Sequence, residues 1–184
     1  SIETYQKGVE ITDQATQEFL NELDALDKPV TVVFYGDHLP GIYSSASEDG
    51  NNSLALHLTD YFIWSNKASS SQGNKASDAA YSSPNFFVAQ AADHMNAKVS
   101  PYLAFLTEMH SKIAAMEPPV VNKIQSWDRI PEGQNIYLAP TGNPMSTDDF
   151  DKETKQLLAD YKLIQYDITA GKNYLKDTDF MTLP

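Results

Sequence analysis

The sequence predicts an α/β protein, and three observations predict it. Residues 30–35, Val-Thr-Val-Val-Phe-Tyr, are all apolar, β-branched or aromatic, as a strand covered on both faces should be. An amphipathic segment stands just before it, with Ala15, Phe19, Leu20, Leu23 and Leu26 recurring at helical spacing. Only a few residues join the two, which is the short connection typical of α/β units. Residues 30–35 are therefore expected as a central strand, flanked by a helix over residues 12–26.

The remaining elements follow in chain order. Thr12 is the expected N-cap of the first helix, with Asp13 favourable in its first turn, and Lys28-Pro29 ends it. After the strand, Gly36 turns the chain. Residues 44–53 are polar and contain Asp49-Gly50-Asn51-Asn52, the composition of a loop. A second strand is expected at about residues 60–64. Residues 65–83, rich in Ser, Asn, Lys, Ala and Gly, read as a flexible surface loop. Ser83-Pro84 forms an N-cap and N1 pair opening a helix that includes Phe86, Phe87 and Ala91. Ser100-Pro101 repeats the device. Tyr102, Phe105, Leu106, Met109, Ile113 and Met116 then form an apolar helical face, stopped by Glu117-Pro118-Pro119. Asn135, Ile136, Tyr137 and Leu138 suggest an edge strand. Ser146 or Thr147 caps a last helix, with Asp148 and Asp149 in its first turn. Its stripe is Phe150, Leu157, Leu158, Tyr161 and Ile164, and Gly171 is the expected C′ terminator. No internal repeat is present.

A chain of 184 residues is one domain or the end of one, and can bury a sizeable core. A hydrophobic fraction of 41% fits a globular protein. The formal net charge of −12 argues against a nucleic-acid partner, because phosphate binding needs a basic surface. It is also unfavourable for direct docking on anionic lipid, and reads as a solvated surface. Without cysteine there is neither disulfide nor thiolate chemistry. No run approaches the roughly 18 apolar residues of a membrane helix, and no signal peptide is visible. The chain begins at Ser1 without Met, so it reads as a segment of a longer protein whose targeting signals these residues do not report.

Chemistry concentrates at the end of the first strand. Ligands of open parallel sheets bind just outside the carboxyl ends of the strands. Asp37-His38 stands there, between Gly36 and Leu39-Pro40-Gly41. A carboxylate and an imidazole are hard and borderline ligands that together suit a divalent cation. The competing reading is a hydrogen-bonded structural histidine beside a surface carboxylate. His57 reads as a partly buried, hydrogen-bonded residue, and His94 and His110 as structural or surface residues. Asp60 and Asp78 are single carboxylates. Tyr61 and Trp64 suit the core better than a pocket wall, and Tyr161, Tyr166 and Tyr174 read as packing residues. No Gly-rich phosphate loop and no spaced Ser-His-Asp set is found. A catalytic metal needs about three protein ligands, and the sequence offers two convincing ones.

Residues 29–41, PVTVVFYGDHLPG, resemble the Gly-Asp-His segment of the lipoteichoic-acid-synthase-like phosphoglycerol transferases, members of the sulfatase/alkaline phosphatase superfamily. Residues 4–23 resemble the helix before that strand, and residues 58–67, LTDYFIWSNK, the strand after it. Residues 100–109 and 157–175 resemble the closing segments. The resemblance implies an α/β fold that is part of an alkaline-phosphatase/sulfatase-like sheet with flanking helices. It also implies that residues 1–184 are the carboxy-terminal part of the catalytic domain. Asp37 and His38 carry over as metal ligands, with Mn²⁺ the expected metal and Mg²⁺ or Zn²⁺ the alternatives. No catalytic residue carries over, because the family's threonine nucleophile and further acidic ligand lie upstream of the Asp-His pair. The implied partners are a glycerophospholipid donor and a cell-envelope polymer acceptor, met at the extracellular face of the membrane by a parent tethered upstream. A sulfatase, a phosphoethanolamine transferase or a non-catalytic module of the same fold is the alternative. An uncovered sheet edge in these residues alone invites self-association.

Overall fold

The computed structural model of the chain describes residues 1–37, 54, 58–75, 80–117 and 136–184. The chain divides into two compact units, Ser1–Asn74 with Val120–Glu132 and Lys75–Pro119 with Gly133–Pro184. The α/β class holds: helices alternate with small antiparallel sheets.

In the first unit, helix α1 spans Ile2–Asp24 and so begins well before Thr12. Ser1 is the N-cap, its hydroxyl accepting the Thr4 N–H at 3.3 Å. Thr12 instead donates its hydroxyl to the Gly8 carbonyl at 3.0 Å, one turn back. A threonine hydroxyl can serve either role, and the choice depends on whether helix precedes it. Here Ile2, Tyr5 and Val9 extend the helical spacing upstream. No residue of α1 is buried; Leu20 and Leu23 are half-buried, while Phe19 and Leu26 are exposed.

Strand β1, Thr31–Tyr35, pairs antiparallel with β2, Tyr61–Ser65, in a two-stranded sheet. The register sets Thr31 against Ser65, Val33 against Ile63 and Tyr35 against Tyr61. The expectation of a central strand covered on both faces is therefore corrected among the described residues. Among the described residues β1 has one neighbour, and Phe34 and Tyr35 are 37% and 47% exposed. An apolar run reads alike whether its cover is a second layer or a cross-strand partner. Here Phe34 stacks on Phe62, with ring centroids 5.0 Å apart.

Asn66 locks this unit together. It is fully buried. Its Oδ1 accepts the Val30 N–H at 2.9 Å, and its Nδ2 donates to the Leu23 and Lys28 carbonyls, each at 2.8 Å. One side chain thus ties the end of α1, the start of β1 and the exit from β2. Residues 66–74 continue as consecutive turns in which Ser71 is buried. Residues 76–79, which include Asp78, lie outside the described residues.

The second unit carries the main core: Phe86, Ala89, Leu106, Met109, Ile113, Tyr137, Phe150 and Leu158. Ser83-Pro84 opens a 3-10 turn, Pro84–Phe86, which runs into α2, Phe87–His94. Ser100 caps α3, Pro101–Lys112, by accepting the Leu103 N–H. The apolar face of α3 stops short of Met116. Residues Ala115–Glu117 are strand β3, because the Ala114 N–H is taken by the Leu138 carbonyl and the Met116 N–H by the Ser83 hydroxyl. Strand β4, Ile136–Leu138, is the middle of the sheet β3-β4-β5, not an edge, with β5 at Pro144–Met145. Ser146 caps only the 3-10 turn Thr147–Asp149, through a capping box with Asp149. Helix α4, Lys152–Thr169, takes Asp151 as its cap. Gly171 follows the C-cap Ala170 but does not adopt the left-handed backbone expected of a glycine terminator; Asn173, at φ +56°, does so two residues later. Phe150 precedes α4 yet is buried, as are Leu157, Leu158 and Ile164 of the helix. Of the three tyrosines read as packing, Tyr161 is half-buried, but Tyr166 and Tyr174 are 62% and 72% exposed. Tyr166 lies on the outer face of α4, a face the apolar spacing alone does not separate from the inner one.

Candidate functional site

Antiparallel pairing places the segment leaving β1 beside the segment entering β2. Gly36 and Asp37 therefore neighbour Thr59 and Asp60. The Gly36 N–H donates to the Asp60 carbonyl at 3.3 Å, and the Thr59 hydroxyl donates to the Gly36 carbonyl at 3.0 Å. Asp37 follows directly and is exposed. It is a hard carboxylate donor beyond the carboxyl end of a strand, which fits a hard or borderline divalent cation. His38, the other expected ligand, lies outside the described residues, as do Leu39, Pro40, Gly41 and His57. Among the described residues, no group of three or more His, Cys, Asp or Glu side chains converges as a metal site.

The far end of the strand pair is electrostatically distinct. The Lys67 ammonium bonds the Asp24 carboxylate at 2.8 Å, and the Lys67 N–H donates to it at 2.8 Å. The two contacts hold the Asp24 carboxyl below the usual carboxylate range. This pair fastens α1 to the exit of β2.

The remaining histidines are structural. His94 and His110 are buried in the second unit, and His110 Nε2 donates to the Tyr81 carbonyl at 2.9 Å. His110 also packs against Phe86, with ring centroids 5.0 Å apart. Trp64 and Tyr61 are half-buried in β2. No helix among the described residues is long and apolar enough to cross a membrane.

Sequence reasoning missed Thr59 and Asn66. A threonine two residues before a strand and an asparagine just after it were visible signals. Nothing local told which distant carbonyl each would meet.

The chain is thus of α/β class, with the Asp37 carboxylate exposed just past the end of β1. Residues 1–97 match the sulfatase family, and the chain belongs to that family. It is a family of enzymes within the sulfatase/alkaline phosphatase superfamily. No curated protein and no solved structure matches the chain.

Proposed function

We propose that the chain is the carboxy-terminal part of a metal-dependent phosphoglycerol transferase of the lipoteichoic-acid-synthase type. It would act at the extracellular face of a membrane-anchored parent. Its reaction would move phosphoglycerol from a phosphatidylglycerol-type lipid to a cell-envelope polymer hydroxyl, through a threonine nucleophile supplied from outside these residues. The observation that supports this reading is Asp37 beyond the carboxyl end of β1, with His38 next in sequence, inside the stretch that matches the sulfatase family.

Asp37 and His38 would hold the cation, with further ligands from outside the described residues. A divalent cation held there, Mn²⁺ by resemblance and Mg²⁺ or Zn²⁺ otherwise, would lower the pKa of a nucleophilic hydroxyl and offset charge on phosphoryl oxygens. Asp37 contributes a hard oxygen and a negative charge. His38 contributes a neutral nitrogen, so it binds only when unprotonated. The family match itself favours a second reading, hydrolysis of a sulfate ester with the same pair of ligands.

The two readings separate in one experiment on the full-length protein with Mn²⁺. Release of diacylglycerol from a fluorescent phosphatidylglycerol supports the transferase. Hydrolysis of an aryl sulfate without lipid turnover favours the sulfatase. Folded protein inert toward both refutes the pair. Residues 1–184 alone are expected to turn over neither substrate.

A further inference from the structure

Both backbone polar groups of Gly36 are held from across the sheet: its N–H by the Asp60 carbonyl and its carbonyl by the Thr59 hydroxyl. Thr59 reaches that carbonyl only because residue 36 has no side chain. A Cβ on Gly36 would fall 2.8 Å from Thr59 Cβ and 3.0 Å from its Cγ2. The Gly36 carbonyl lies in the same planar peptide as the Asp37 nitrogen and Cα. Fixing the carbonyl therefore fixes Asp37 Cα, and only the φ and side-chain torsions of Asp37 remain to place its carboxylate.

We propose that Thr59 is a positioning residue: its hydroxyl, bonded to the Gly36 carbonyl, fixes the peptide plane from which the Asp37 carboxylate reaches a divalent cation. The proposal rests on reading Asp37 as a metal ligand. Thr59 needs no contact with the cation, since it acts through the backbone. An exposed hydrogen bond of this kind adds little to global stability. Its effect falls on ligand geometry, where loss of an outer partner typically weakens metal binding by about 10–100-fold. Gly36 and Thr59 work as a pair, one supplying the space and the other the donor.

The test uses full-length protein and follows Mn²⁺ binding through the paramagnetic resonance signal of the free ion. Thr59→Val keeps the shape and removes the donor, Thr59→Ser keeps the donor, and Asp37→Asn weakens the ligand. The expected result is about tenfold weaker Mn²⁺ binding in Thr59→Val, binding near wild type in Thr59→Ser, and an unchanged unfolding midpoint of the metal-free Thr59→Val protein. Wild-type binding by Thr59→Val, with binding lost in Asp37→Asn, overturns the role of Thr59 while leaving Asp37 a ligand. Equal loss in both Thr59 variants, or a lowered metal-free midpoint in Thr59→Val, assigns the effect to packing and also overturns it. Wild-type binding by Asp37→Asn removes the metal-ligand reading itself, and the inference with it.

Discussion

Replacing Asn66 with alanine should destabilise the first unit far more than the loss of one polar side chain suggests. Asn66 is fully buried and makes three hydrogen bonds of 2.8–2.9 Å. The Leu23 carbonyl keeps a second partner, the Leu26 N–H at 3.2 Å. Asn66→Ala therefore strands chiefly the Val30 N–H and the Lys28 carbonyl. Each stranded group costs about 1–3 kcal/mol, and losing the third bond about 1 kcal/mol more. Water can reach part of this region, so the lower end applies, and about 3 kcal/mol is expected. That is a large share of a typical stability of about 5–15 kcal/mol, and lowers a melting temperature by roughly 6–12 °C. Asn66→Asp sharpens the argument. It keeps the acceptor for Val30 but turns a carboxylate oxygen toward two carbonyls, so its folded-state pKa must rise above the unfolded value. The penalty is then present at neutral pH and is relieved as the pH falls toward the unfolded pKa of about 4, because a protonated carboxyl can donate to one carbonyl. Urea unfolding followed by circular dichroism at neutral and acidic pH measures both effects. Asn66→Ala within about 1 kcal/mol of wild type, or Asn66→Asp as stable as wild type at neutral pH, would refute the reasoning.

In the full-length protein, Asp37→Ala or His38→Ala should slow turnover by several orders of magnitude while leaving the fold intact; activity near wild type in a folded variant would remove the assignment. Mn²⁺ affinity of that protein should fall as the pH drops through the imidazole range, near about 6.5, since protonated His38 cannot bind; a pH-independent titration would argue against His38. Gly142→Ala should destabilise by more than about 1 kcal/mol, because φ is +84° and a Cβ would collide with Tyr81 Cζ; calorimetry would show the lowered transition. Ser100→Ala should cost about 1 kcal/mol, the usual value of an N-cap, read from the denaturant midpoint.

At the candidate site, Asp37-His38 was legible in the sequence because a polar pair closing an apolar run is a local pattern. The contact between the Thr59 hydroxyl and the Gly36 carbonyl was not. Thr59 stands 23 positions from Gly36 in the chain, and only the antiparallel register brings them together. The same division runs through the fold. Local patterns settle what neighbouring residues govern: the apolar runs of β1 and β2 and the Ser-Pro openings at Ser83 and Ser100. Each follows from backbone restriction or a cap within one helical turn. Packing settles the rest: that β1 runs antiparallel to β2, that β4 lies mid-sheet, that Met116 leaves the helical face for a strand, that Asn173 and not Gly171 takes the left-handed backbone after α4, and that Asn66 joins three segments. Those outcomes depend on which distant donor meets which carbonyl. A hydrogen bond carries no mark of its partner in the local sequence, so the choice exists only once the chain has packed.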